Sequence, residues 1–139
     1  MIRYSILEEY ELVIECMIGD VFVDNLVLAS EQIWNDDDYD KKYDAIIDIR
    51  RAEVRMAHGD IGAFADLLLS SADTSTGKAA ILSSKPTETA LGYLFSKRIQ
   101  EQVPIEVFST WEAVGAFLRL PPSLMAILTD DQAYDALFD

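Results

Sequence analysis

One cysteine, one histidine and eleven basic side chains are all that 139 residues offer to thiol, imidazole or cationic chemistry. Cys16 cannot bridge to another cysteine of the chain, and its place inside an apolar strand pattern suits an inert buried thiol in a reducing compartment. A typical zinc site takes several Cys and His ligands, so no metal is expected. A hydrolase triad needs a nucleophile activated by a histidine. His58 is the sole histidine, and no Gly-x-Ser-x-Gly turn accompanies it. The six glycines form no phosphate loop of the Walker or dinucleotide kind. Carboxylates are so abundant that no single pair is informative. These absences argue against an enzyme, and no cofactor is expected.

Positive charge is scarce enough to decide partners. With 25 acidic against 11 basic residues, the formal charge is -14 and the isoelectric point near 4.2. Such a field repels phosphate backbones and anionic headgroups, which removes nucleic acid and makes membrane surfaces poor partners. No apolar run approaches the ~20 residues of a membrane span. Met1-Ile2-Arg3-Tyr4-Ser5 does not begin a charged-then-apolar leader. The chain reads as soluble and cytoplasmic. The acidic run Asp36-Asp37-Asp38-Tyr39-Asp40 invites a calcium loop, but Lys41 and Ile47 stand where that loop needs Gly and Glu. A solvated connector is the expectation.

Half of the residues are hydrophobic, enough for the core of one domain. Ile2 to Leu7 and Glu11 to Ile18 are rich in strand formers on either side of Glu8-Glu9, which predicts an antiparallel hairpin. Gly19-Asp20 closes the second strand, with Asp20 as the expected cap of a helix whose Val23, Leu26, Val27, Ile33 and Trp34 recur at helical spacing. Tyr43 to Ile49 is nearly continuous in apolar residues, as a strand covered on both faces should be. An arginine-bearing turn follows, then a helix capped by Asp60 with Ile61, Phe64, Ala65 and Leu68 on its inner face. Lys78 to Ser83 is a further buried strand, Pro86 opens a third helix with Leu91, Leu94, Phe95 and Ile99 inward, and Ile105 to Phe108 is the last strand. Ser109 and Glu112 make a capping box for the fourth helix. Beyond Pro121-Pro122, a short apolar segment and a second capping pattern at Thr129 to Gln132 lead to a final helix with Tyr134, Leu137 and Phe138 on one face. Those three residues either pack on their own domain or clasp a second subunit.

The expected fold class is α/β: a mixed sheet of about five strands with an N-terminal antiparallel hairpin and covering helices. Residues 1–120 form the domain and 121–139 a C-terminal helical extension. In the order and texture of its elements the chain resembles the STAS and SpoIIAA-like family. The resemblance rests on Gly19-Asp20-Val21, Tyr43-Asp44-Ala45-Ile46-Ile47-Asp48-Ile49, Lys78-Ala79-Ala80-Ile81-Leu82, and Val107-Phe108 with Glu112-Ala113. It implies a non-catalytic regulatory module that works through protein contacts, as a homodimer. Phosphoregulated members carry a serine just after the central strand. Arg50 to Asp60 contains neither Ser nor Thr, so the resemblance does not bring that switch with it.

Outside the carboxyl ends of the strands lies the usual ligand crevice of an open α/β sheet. Arg50, Arg51, Arg55 and His58 are expected there with Ser83, Ser84 and Lys85, as a site for a small anion or acidic peptide. The competing expectation is that these cations pair with the chain's own acids. The alternative function is a carrier of a small anionic or lipid-like ligand, which a large enclosed cavity between helix and sheet lined by Phe64, Leu68 and Phe95 would favour.

Overall fold

The computed structural model describes residues 1–139. Two strands, β1 (Ile2–Leu7) and β2 (Leu12–Val21), pair antiparallel from Ile2↔Met17 to Leu7↔Leu12. A 3-10 turn at Glu8–Tyr10 joins them, closed by Glu11 in the left-handed region at φ 51°. Each later strand is reached through a helix: α1 (Val23–Trp34) leads to β3 (Asp44–Val54), α2 (His58–Ser70) to β4 (Ala79–Leu82), and α3 (Pro86–Ile99) to β5 (Ile105–Phe108). The strands lie side by side in the order β1-β2-β3-β4-β5, with every pair after the first parallel. The sheet is therefore mixed and five-stranded, with the apolar run of β3 at its centre, as the sequence predicts.

This order decides what covers the sheet. Strand-helix-strand crossovers are right-handed in nearly all proteins, and here each moves one strand further in the same direction, so α1, α2 and α3 share one face. The other face is left to α4 (Trp111–Leu118), α5 (Pro122–Leu128) and α6 (Asp131–Ala136). Two cores result. Met17, Ile49 and Ile81 lie with Leu26, Phe64 and Ile99 of the first layer. Ile14, Ile46 and Leu82 lie with Val114, Leu124, Leu128 and Tyr134 of the second. Successive strand residues point to opposite faces, so one apolar run supplies both. No helix is long and apolar enough to cross a membrane.

Several boundaries differ from those read in the sequence. The central strand does not end at Ile49. It runs on to Val54 because β2 extends to Val21 and keeps pairing, Gly19↔Ala52 through Val21↔Val54. Arg50 and Arg51 are thus strand residues. Asp20 does not cap α1; it is an exposed strand residue, and the cap is made by Asn25, whose side chain accepts from the Phe22 amide at 2.8 Å. Asp60 lies inside α2 at its third position and accepts from the Ala57 amide at 3.0 Å. The fourth helix is capped by Thr110 rather than Ser109, its hydroxyl accepting from Ala113 at 3.2 Å.

Candidate functional site

The register of β2 against β3 holds one irregularity. From Cys16↔Asp48 to Ile18↔Arg51, β2 advances two residues while β3 advances three. The extra residue on β3 is a bulge, and a bulge re-aims side chains. Before it, Ile46 and Asp48 face the α4–α6 layer; after it, Ala52 belongs to the other core. Arg50 and Arg51 consequently both reach the tail side.

There the arginines meet carboxylates of their own chain. Arg50 grips Asp48 through Nε at 3.0 Å and an NH2 nitrogen at 2.8 Å, and the Tyr134 hydroxyl donates to Asp48 at 2.7 Å. The Arg50 guanidinium stands over the rings of Trp111 and Tyr134, at 5.2 and 5.8 Å. Burial of Asp48 would raise its pKa, but the Arg50 and Tyr134 hydrogen bonds outweigh it and hold the carboxyl below its usual value. Tyr134 is pushed up, by burial first and then by the Asp48 charge. Arg51 pairs with Asp135 at 3.1 Å and also donates to the Cys16 sulfur at 3.4 Å. Arg3 on β1 stacks over Phe138 at 5.0 Å. Tyr134, Leu137 and Phe138 therefore pack in cis, with Tyr134 buried.

Of the remaining residues expected at the crevice, Arg55 and Lys85 lie near the same two acids, Glu53 and Glu88. Arg55 pairs with Asp20 at 3.0 Å on the surface. His58 is exposed at the first position of α2. Ser83 is buried and shares a 2.8 Å hydrogen bond with Thr89, while Ser84 is exposed. Lys85 does come back to β3: its ammonium donates to the Ala52 carbonyl, pairs with Glu53 at 3.1 Å and lies 3.8 Å from Glu88. Glu88 in turn accepts from the Val54 amide at 3.3 Å. Each arginine and lysine of the group has an acidic partner.

The main concavity lies elsewhere, between the sheet and the α1–α3 layer. It is a cavity of about 170 Å³ whose wall holds 27 residues, 21 of them hydrophobic, so it is an apolar chamber. Phe64, Leu68 and Phe95 line it, as do Ala45, Ile47 and Ile81 from the sheet floor. Phe64 and Phe95 are stacked, centroids 5.8 Å apart and planes at 23°. Gly92 of α3 faces the sheet, where a Cβ would sit 3.5 Å from Ile81 and Val107, in ordinary contact. Ile47 sits on the middle strand yet keeps accessible surface, and that surface is chamber wall.

One acid stands in this wall without a partner. Glu15 on β2 lies beside Ile47 of β3 and opposite Tyr4 of β1, and its carboxyl makes no hydrogen bond or ion pair. Enclosure in apolar surroundings disfavours its charged form and pushes its pKa up from 4.5 to about 7. The Tyr39 hydroxyl, also on the wall, is pushed up to about 12, by burial first and then by nearby carboxylates including Glu15, and donates to the Asp73 carbonyl at 2.7 Å. No Lys, Arg or His lines the chamber, and no group of three or more His, Cys, Asp or Glu is placed to hold a metal ion. Glu15 was missed in the sequence. The signal was there: an acid in the middle of Leu12-Val13-Ile14-Glu15-Cys16-Met17, an otherwise apolar strand.

Comparison with protein-family models finds no match, and comparison with curated proteins finds none either.

Proposed function

We propose that the chain binds a small, largely apolar molecule in the chamber between the sheet and the α1–α3 layer, and acts as a binding or carrier protein. The observation that carries this is the chamber itself. Protein interiors are close-packed, and voids larger than a water molecule are few. Here the concavity amounts to about 170 Å³ with an apolar wall, which an apolar ligand would shield from water. Size sets the scale of the occupant. A dry cavity of roughly 150 Å³ admits benzene, so one aromatic ring with a short substituent fits this one.

A regulatory role through protein contacts, of the STAS/SpoIIAA-like kind, is the second reading. The succession of elements from β1 to α4 supports it. The self-paired arginines favour the chamber over the strand ends as the seat of recognition. Co-purification followed by mass spectrometry separates the two readings, since a carrier arrives with a small molecule and a regulator with a protein.

Toluene provides the direct test. Calorimetry is expected to show saturable heat with the wild-type protein and none with Ala45→Leu, whose larger isobutyl side chain occupies the chamber. Wild-type protein that gives no heat, or Ala45→Leu that gives the same heat, overturns the reading.

A further inference from the structure

From the solitary carboxyl in the chamber wall we infer that the ligand is a small amine, with its ammonium group on Glu15 and its apolar body against Phe64, Phe95 and Ile47. This rests on the chamber being a binding site and adds the chemical class of what it takes. Three observations converge. Buried carboxyls in proteins are paired or hydrogen-bonded, and Asp48, on the next strand and the opposite face, has three such bonds from side chains. Glu15 has none and keeps accessible surface in the chamber wall, so a partner from outside the chain can reach it. The wall holds a second acid, Glu88, but Lys85 and the Val54 amide already satisfy it.

The sign of charge in the wall selects among ligand classes. With Glu15 and Glu88 present and no basic residue, a carboxylate or phosphate finds no counter-ion in the chamber and meets like charge. A neutral hydrocarbon fills the volume but leaves Glu15 unanswered. An ammonium answers it, in surroundings where a charge-assisted hydrogen bond is strong because water does not compete. The net charge of -14 also draws cations toward the protein and holds anions off.

Titratable groups around Glu15 are few. Tyr4 faces it from β1 and donates to Asp36 of the α1–β3 connector at 2.9 Å; Tyr39 comes from the same connector and Glu88 from α3; α1, α2, β3 and β4 add none to the wall. Both tyrosines are pushed up, Tyr4 by burial and then by Asp36, so they stay neutral through the physiological range. Glu15, at about 7, is then the group of the chamber wall whose charge is poised to change there. Amine binding releases its proton below that value. Affinity therefore weakens as pH falls, by up to about tenfold per unit below 7.

The probes are toluene, benzylamine and phenylacetate, one ring with no charge, a positive charge and a negative charge. They are titrated at pH 8 into the full chain and into Glu15→Gln, which keeps the shape of the side chain. Benzylamine is expected to bind the wild type roughly ten- to a hundredfold tighter than toluene, the range of a hydrogen bond to a charged group. Phenylacetate should bind weakest. In Glu15→Gln the preference for benzylamine should vanish while toluene binding persists. If toluene binds and benzylamine gains nothing, or keeps its gain in Glu15→Gln, the amine assignment is overturned and the chamber stands as a site. If no probe binds, the chamber reading fails and the assignment with it.

Discussion

Two carboxyls one strand apart, on opposite faces of one sheet, have had opposite fates. Asp48 faces the tail layer, where Arg50 and Tyr134 answer its oxygens and hold it ionised. Glu15 faces the α1–α3 layer, where nothing answers it and enclosure drives it toward the neutral acid. The difference separates structure from function. A satisfied buried charge fixes position: Asp48 ties α6 to the central strand. An unsatisfied one beside an empty volume is destabilising, and functional sites are where such departures from good packing concentrate.

The contrast is best broken at Asp48. Arg50→Ala leaves that carboxylate buried without its counter-ion, and unfolding by denaturant should show a loss of about 3–5 kcal/mol at pH 7. The folded-state pKa of Asp48 lies below its unfolded value, so its stabilising effect is present above about 3.8 and is lost as pH falls through the folded value. The gap between Arg50→Ala and wild type should therefore close in acid.

Glu15 gives the mirror image. Its pKa is raised on folding, so its penalty is absent below 4.5, grows between 4.5 and about 7, and is constant above. Glu15→Gln should stabilise the protein by about 3 kcal/mol above pH 7 and leave it unchanged near pH 4. Thermal unfolding at the two pH values checks this. A variant that destabilises at both would mean that Glu15 has a partner in the fold.

Smaller effects sharpen the comparison. Tyr134→Phe removes one donor to Asp48 and should cost about 1–2 kcal/mol. Loss of near-ultraviolet dichroism from the Trp111–Tyr134–Phe138 cluster should accompany it. Ala45→Leu fills empty space and should raise stability by about 1 kcal/mol once the strain of repacking is subtracted. On the tail side the same kind of change does harm, because no space waits for it. At Gly115 a Cβ would stand 2.6 Å from the Met125 sulfur, so Gly115→Val should lower the melting temperature.

The sheet was legible because a strand covered on both faces must be apolar throughout, and Ala45 to Ile49 is. The crossover helices announced themselves through stripes such as Ile61, Phe64, Ala65 and Leu68. The bulge at Arg50 could not be read, since it arises from how far β2 extends beside it, although the alternation in Arg51-Ala52-Glu53-Val54 carried the strand pattern onward. Helix starts slipped where two capping residues stand together, as at Ser109-Thr110. The tail's apolar face was visible, but what it covers is a property of the sheet's free side. The marker residues of the chamber were legible for the same reason as the helices, and the emptiness between them was not, because volume is set by how closely two layers approach.

The most direct measurement is a titration of methyl-labelled protein with toluene, followed by nuclear magnetic resonance. Saturable shifts should be confined to methyls of the chamber, Ile47, Leu68 and Ile81, with Leu124 and Leu128 under the tail unmoved. Shifts absent from those three methyls, or spread equally over both faces, would contradict the chamber as a binding site.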